Sequence, residues 1–151
     1  MLDGGLVNPV PVSAARALGA EIVTVPMDED GLIPDELPEG DFAFLYTIPT
    51  FQNPSGRTLS LERRHRLAEI ATERQLLVLE DDPYGLVRYA GESLPSVFEL
   101  AQTDQVAYCS SFSKTVAPGV RVGWYVLPPR LAAEIEAFAR ASEIEATDAV
   151  R

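Results

Sequence analysis

The chain has 151 residues, 46% of them hydrophobic and 23% charged, with a formal net charge of −11. That length can bury the core of one ordinary domain, and the composition excludes a disordered, collagen-like or disulfide-built chain. The acidic balance argues against nucleic acid or an anionic membrane surface as partner, because both require stripes of Lys and Arg.

Residues 1–12 carry Gly4, Gly5, Pro9 and Pro11 and predict irregular structure. They lack the basic and apolar regions of a signal peptide, and no later apolar run is long enough to cross a membrane. A cytoplasmic protein is expected. Residues 13–18 predict a short helix stopped by Gly19, and residues 21–25 a strand. Residues 28–40, rich in Pro, Gly and acids, predict a loop with one helical turn. Residues 42–48 form an apolar run ended by Pro49 and predict a strand buried on both faces.

Residues 49–57 form a loop containing Asn53-Pro54-Ser55-Gly56. Ser60 then caps a helix reaching about Gln75, with Leu61, Leu67, Ala68 and Ala71 in the apolar stripe and Glu62, Arg63, Arg66 and Glu69 outside it. His65, the single histidine, has no second ligand candidate nearby and reads as a structural or surface residue. Residues 76–79 predict a buried strand ending in Glu80-Asp81-Asp82-Pro83-Tyr84-Gly85. A short helix over 94–101 and a strand over 106–109 follow. Cys109, the single cysteine, cannot form an internal disulfide and reads as a buried, inert thiol. Residues 121–127 predict one more strand. Pro128 opens a helix with Leu131, Ile135 and Phe138 on one face.

Strands alternating with helices predict a parallel α/β sheet. Only residues 112–120 separate the last two strands, and a parallel crossover needs about a dozen. The 121–127 strand is therefore expected to run antiparallel to its predecessor, whether or not it is its neighbour.

Three polar clusters follow the carboxyl ends of strands predicted to be parallel: Asn53, then Asp81 and Tyr84, then Ser111 and Lys114. Ligands bind at that edge of open α/β sheets. Singly these features are ordinary, since Asn-Pro marks turns and acid runs mark strand ends or metal sites. Together they suit one ligand. A desolvated lysine can form a Schiff base with a carbonyl, and pyridoxal 5'-phosphate is an aldehyde that pairs with a lysine and often with a carboxylate at its pyridine nitrogen. Asp81 can supply that carboxylate. Asn53 and Tyr84 are neutral donors that suit a phenolate oxygen on the ring, and Ser111 and Arg121 suit a phosphate.

Gln52-Asn53-Pro54-Ser55-Gly56, Glu80-Asp81-Asp82-Pro83-Tyr84, Ser111-Phe112-Ser113-Lys114 and Arg121-Val122-Gly123, in this order, resemble the class I/II aminotransferases of pyridoxal-phosphate fold type I, in the aminoadipate, kynurenine and aromatic branch. The resemblance covers residues 16–140. It implies a large-domain core: an α/β fold, mostly parallel sheet with one antiparallel strand, helices on both faces, incomplete. Residues 1–151 would be part of that cofactor domain, without the family's N-terminal segment and C-terminal small domain. The resemblance also implies transfer of an amino group from an amino acid to a 2-oxo acid, in a full-length homodimer. Lys114 would hold the cofactor and shuttle the proton, Asp81 would pair with the pyridinium, and Asn53 and Tyr84 would bond the ring phenolate. Ser111, Ser113 and Arg121 would bind the phosphate. The chain alone is expected not to turn over substrate. Two other readings stay open: the effector domain of a transcription regulator, and a different reaction such as elimination on the same scaffold.

Overall fold

The computed structural model describes residues 16–120 and 122–141. Residues 1–15, Arg121 and residues 142–151 lie outside it, so the expectations for 1–12 and for most of the first helix are not addressed. Arg16 and Ala17 are helical, and Gly19, at φ +86°, closes that turn by donating its N–H to the Arg16 carbonyl at 2.9 Å.

Residues 21–25 form no strand and join no ladder, which corrects the strand expected there. The chain instead forms a small hairpin of β1 (Met27–Asp28) and β2 (Gly31–Leu32) inside the segment expected to be loop. Asp28 Oδ1 accepts the Asp30 N–H at 2.9 Å, and Gly31 takes φ +92°, which closes the turn. A single 3-10 turn, Pro34–Glu36, follows.

The main sheet has four strands in chain order: β3 (Leu45–Thr47), β4 (Val78–Asp81), β5 (Val106–Ser111) and β6 (Gly123–Val126). The first three are parallel; β6 is antiparallel to β5 and beside it. β3 is shorter than expected. Its run begins at Phe42, but Phe44 lies outside the ladder and is half exposed, so burial on both faces does not hold.

Helix α1 (Leu61–Glu73) connects β3 to β4, and α2 (Val97–Leu100) lies between β4 and β5. Ser60 caps α1 by accepting the Arg63 N–H. Leu67, Ala68, Ile70 and Ala71 of α1 pack with Val97 of α2 onto Val78 and Val106 of the sheet, together with Leu37 and Leu59. Leu61, expected in this stripe, is exposed, because it starts the first turn ahead of the core contact. Each buried side chain of this size contributes roughly 1.5–3 kcal/mol.

Helix α3 (Pro129–Ala141) follows β6, with Leu131 half-buried and Ile135 exposed. No helix among the described residues is long and apolar enough to cross a membrane.

Candidate functional site

The parallel order of β3, β4 and β5 brings their carboxyl ends to one edge. Three loops leave from it. The register aligns Asp81 with Cys109 and Ser111 with Gly123. Asp81 and Ser111 therefore lie on the same face, with Cα atoms about 8 Å apart from strand spacing and rise.

The first loop carries Asn53. Gln52 organises it: its N–H donates to the Arg57 carbonyl at 2.7 Å, its carbonyl accepts the Gly56 N–H at 2.6 Å, and its side-chain Oε1 accepts from Ser55. Asn53 is half-buried and precedes a cis peptide bond to Pro54.

The second cluster closes β4. Because side chains alternate along a strand, the acidic run does not converge. Glu80 turns toward α2, where its carboxylate accepts the Val97 and Phe98 N–H groups at 3.1 and 2.8 Å. Asp82 accepts the Gly85 N–H at 2.8 Å and the Tyr108 hydroxyl at 3.0 Å, which shapes the turn bearing half-buried Tyr84. Asp81 alone faces the other side of the sheet, where its Oδ2 accepts the Tyr46 hydroxyl at 2.5 Å. Burial pushes its carboxyl above the usual range, and hydrogen bonds from Tyr46 and Cys109 oppose that rise.

The third cluster follows β5. Ser111 Oγ accepts the Ser113 N–H at 3.0 Å, and the Val116 N–H donates to the Phe112 carbonyl, giving a tight turn on which Lys114 is exposed. Arg121 lies outside the described residues. Its neighbour Val122 accepts the Phe112 N–H at 3.0 Å, so the chain returns to the same edge before β6.

Two ties, one buried and one half-buried, hold the loops. Arg64 donates to the carbonyls of Pro49 and Leu59 and to the Thr50 hydroxyl at the start of the Asn53 loop, and to the Pro95 carbonyl beyond the Tyr84 turn. The Arg88 guanidinium lies 4.7 Å over the Phe51 ring, joining the same two loops. Sequence reasoning missed Arg64, although its spacing from Leu67, Ala68 and Ala71 puts it on the buried face of α1. It missed Tyr46 as well, since only the register of β3 against β4 brings that hydroxyl to Asp81. Cys109 is half-buried rather than fully buried, and burial beside Asp81 pushes its thiol up to about 12, consistent with an unreactive group.

The sequence matches the family "Aminotransferase class I and II" over residues 12–147, and the chain belongs to that family. It is 38% identical over 125 residues to aromatic-amino-acid aminotransferase 1 of Thermococcus litoralis, covering 77% of this chain and 30% of that protein. It is 42% identical over 125 residues to the 2-aminoadipate transaminase of Thermus thermophilus, covering 78% of this chain and 32% of that protein. The crystal structure of LysN, the α-aminoadipate aminotransferase of Thermus thermophilus, complexed with N-(5'-phosphopyridoxyl)-L-leucine, superposes with a TM-score of 0.80 at 36% identity, over 88% of this chain and 36% of that one. The chain thus spans about a third of the length of the relatives it matches.

Proposed function

We propose that this chain carries the cofactor-binding centre of a pyridoxal-phosphate-dependent aminotransferase, which moves an amino group from an amino acid to a 2-oxo acid. The observation that carries the reading is the single sheet edge shared by Asn53, by Asp81 with Tyr84, and by Ser111 with Lys114. The donor set fits the cofactor. Asp81 is an acceptor with no cationic partner among the described residues, and its carboxylate keeps lone pairs for a ring N–H. When bound, the cofactor supplies an electron sink for negative charge at the substrate Cα.

In this reading Lys114 Nζ would hold the cofactor and would be the group that carries a proton at the substrate Cα. Asp81 would pair with the ring nitrogen. Asn53 and Tyr84 would donate to the ring phenolate oxygen. Ser111, Ser113 and Arg121 bind the phosphate, with the Ser111–Ser113 contact preorganising the turn. The names of the relatives support aromatic amino acids, aminoadipate or kynurenine as substrates. A homodimer of the whole enzyme belongs to the same proposal.

The test is reconstitution with pyridoxal 5'-phosphate, borohydride reduction and peptide mapping. The label is expected on Lys114, with loss of the visible absorbance band in Lys114→Ala. Unchanged labelling in that variant would remove Lys114 from the role.

A further inference from the structure

We propose that Tyr46 and Cys109 are positioning residues that clamp the Asp81 carboxylate from the two neighbouring strands and keep it a hydrogen-bond acceptor at the sheet edge. The proposal rests on the cofactor reading above and extends it to two side chains outside the four sequence motifs. The geometry comes from the register. Tyr46 pairs with Leu79, two residues before Asp81, and Cys109 pairs with Asp81 itself. By alternation, all three side chains occupy the sheet face opposite Val78 and Val106, away from the α1–α2 core. Asp81 is thus held on both sides within its own sheet. The Tyr46 hydroxyl donates to Oδ2 at 2.5 Å, and the register sets Cys109 directly beside Asp81, where its thiol favours the carboxylate.

The electrostatics require such donors. Asp81 is half-buried, its sequence neighbour Asp82 is a second acid, and among the described residues it forms no ion pair. Tyr125, beside Cys109 on β6, and Tyr84, which acts on Tyr46, are further titratable groups here among the described residues, and neither brings positive charge. Burial and Asp82 both favour the neutral acid, and among the described residues Tyr46 and Cys109 favour the anion. A neutral Asp81 would be a poor partner for a protonated ring nitrogen. Its two donors therefore set how firmly that proton is held. Tyr46 and Cys109 do this without giving up their own protons, because burial near Asp81 raises both of them.

The experiment uses the whole chain. In the cofactor-free protein, the Asp81 carboxyl carbon is followed by 13C NMR, assigned by its loss in Asp81→Asn. Tyr46→Phe is expected to move the Asp81 midpoint upward by about one pH unit, a tenfold change in proton affinity. Cys109→Ala should move it less, and Cys109→Ser, which restores a donor, should return it to the wild-type value. With pyridoxal 5'-phosphate, Tyr46→Phe should raise Kd about tenfold while borohydride trapping on Lys114 persists. An Asp81 midpoint unmoved by Tyr46→Phe and Cys109→Ala overturns the proposal, as does a moved midpoint with unchanged cofactor affinity. If Tyr46→Phe does not fold, the Cys109→Ala and Cys109→Ser pair decides. Failure of the wild-type chain to bind cofactor would defeat the function proposed above, and the titration of the free chain would still judge the clamp.

Discussion

Arg64 and Glu80 face each other 4.0 Å apart between α1 and β4, each with a side chain only 1% exposed. Both are pushed toward neutrality by burial, the guanidinium downward and the carboxyl upward. Neither is an isolated charge, because Arg64 also donates to three carbonyls and a hydroxyl and Glu80 accepts two backbone N–H groups. Removing one partner leaves a buried charge uncompensated. Arg64→Met is expected to cost about 3–5 kcal/mol. Glu80→Gln should cost about 1–2 kcal/mol, since its amide oxygen can still accept one of the two N–H groups. Urea unfolding at pH 7 measures both. An Arg64→Met midpoint equal to wild type would show that the pair holds nothing together.

Gly85 leaves no space for a side chain. A Cβ there would lie 2.3 Å from Asp82 Oδ2 and 2.8 Å from Oδ1. That carboxylate is pinned by the Gly85 N–H and the Tyr108 hydroxyl, so it cannot swing aside freely. Gly85→Ala is expected to lower stability by about 1–3 kcal/mol, the usual range for overpacking. It should also weaken cofactor binding, because Tyr84 sits on the same turn. Calorimetry and a cofactor titration report the two effects. Loss of stability with full cofactor affinity would detach Tyr84 from the site.

Asp28 gives a pH signature at the opposite side of α1. Its carboxylate forms two bonds to the Arg63 guanidinium, at 2.5 and 2.7 Å, tying the β1–β2 hairpin to the helix. The Arg63 bond lowers the Asp28 pKa to about 2. Its folded value lies below the unfolded value near 4, so its contribution is complete above about pH 4 and is lost as pH falls toward 2. Thermal unfolding between pH 5 and pH 2 should show a smaller loss of Tm in Asp28→Asn than in wild type. Identical slopes would mean that the ion pair does not act on stability.

The fold was legible where local chemistry and tertiary demand agree. Ser60 starts a helix because its hydroxyl meets an orphan N–H, whatever surrounds it. The short link of residues 112–120 forces an antiparallel return, and β6 returns beside β5. The sheet edge that collects Asn53, Asp81 and Ser111 follows from strand order alone. Residues 21–25 failed as a strand because Ile22, Val23 and Val25 satisfy a strand pattern that finds no ladder partner among the described residues. The β1–β2 hairpin hid in an acidic stretch whose Asp28 and Gly31 carry a turn signal. Arg64 was hidden for a different reason. Its partners are mostly carbonyl oxygens, which every residue owns, so no residue type announces them.

Glu80 and Asp81 are neighbours with opposite duties, one fastening α2 and the other meeting the Tyr46 hydroxyl on the far face of the sheet. A slip of β4 by one residue would exchange their faces. It would turn the shorter Asp81 toward the N–H groups of Val97 and Phe98 and the longer Glu80 toward Tyr46, so neither contact would keep its fitted acceptor. The helix cap therefore acts as a proofreading device for the sheet, because only the observed register lets Glu80 cap α2 while Asp81 meets the Tyr46 hydroxyl.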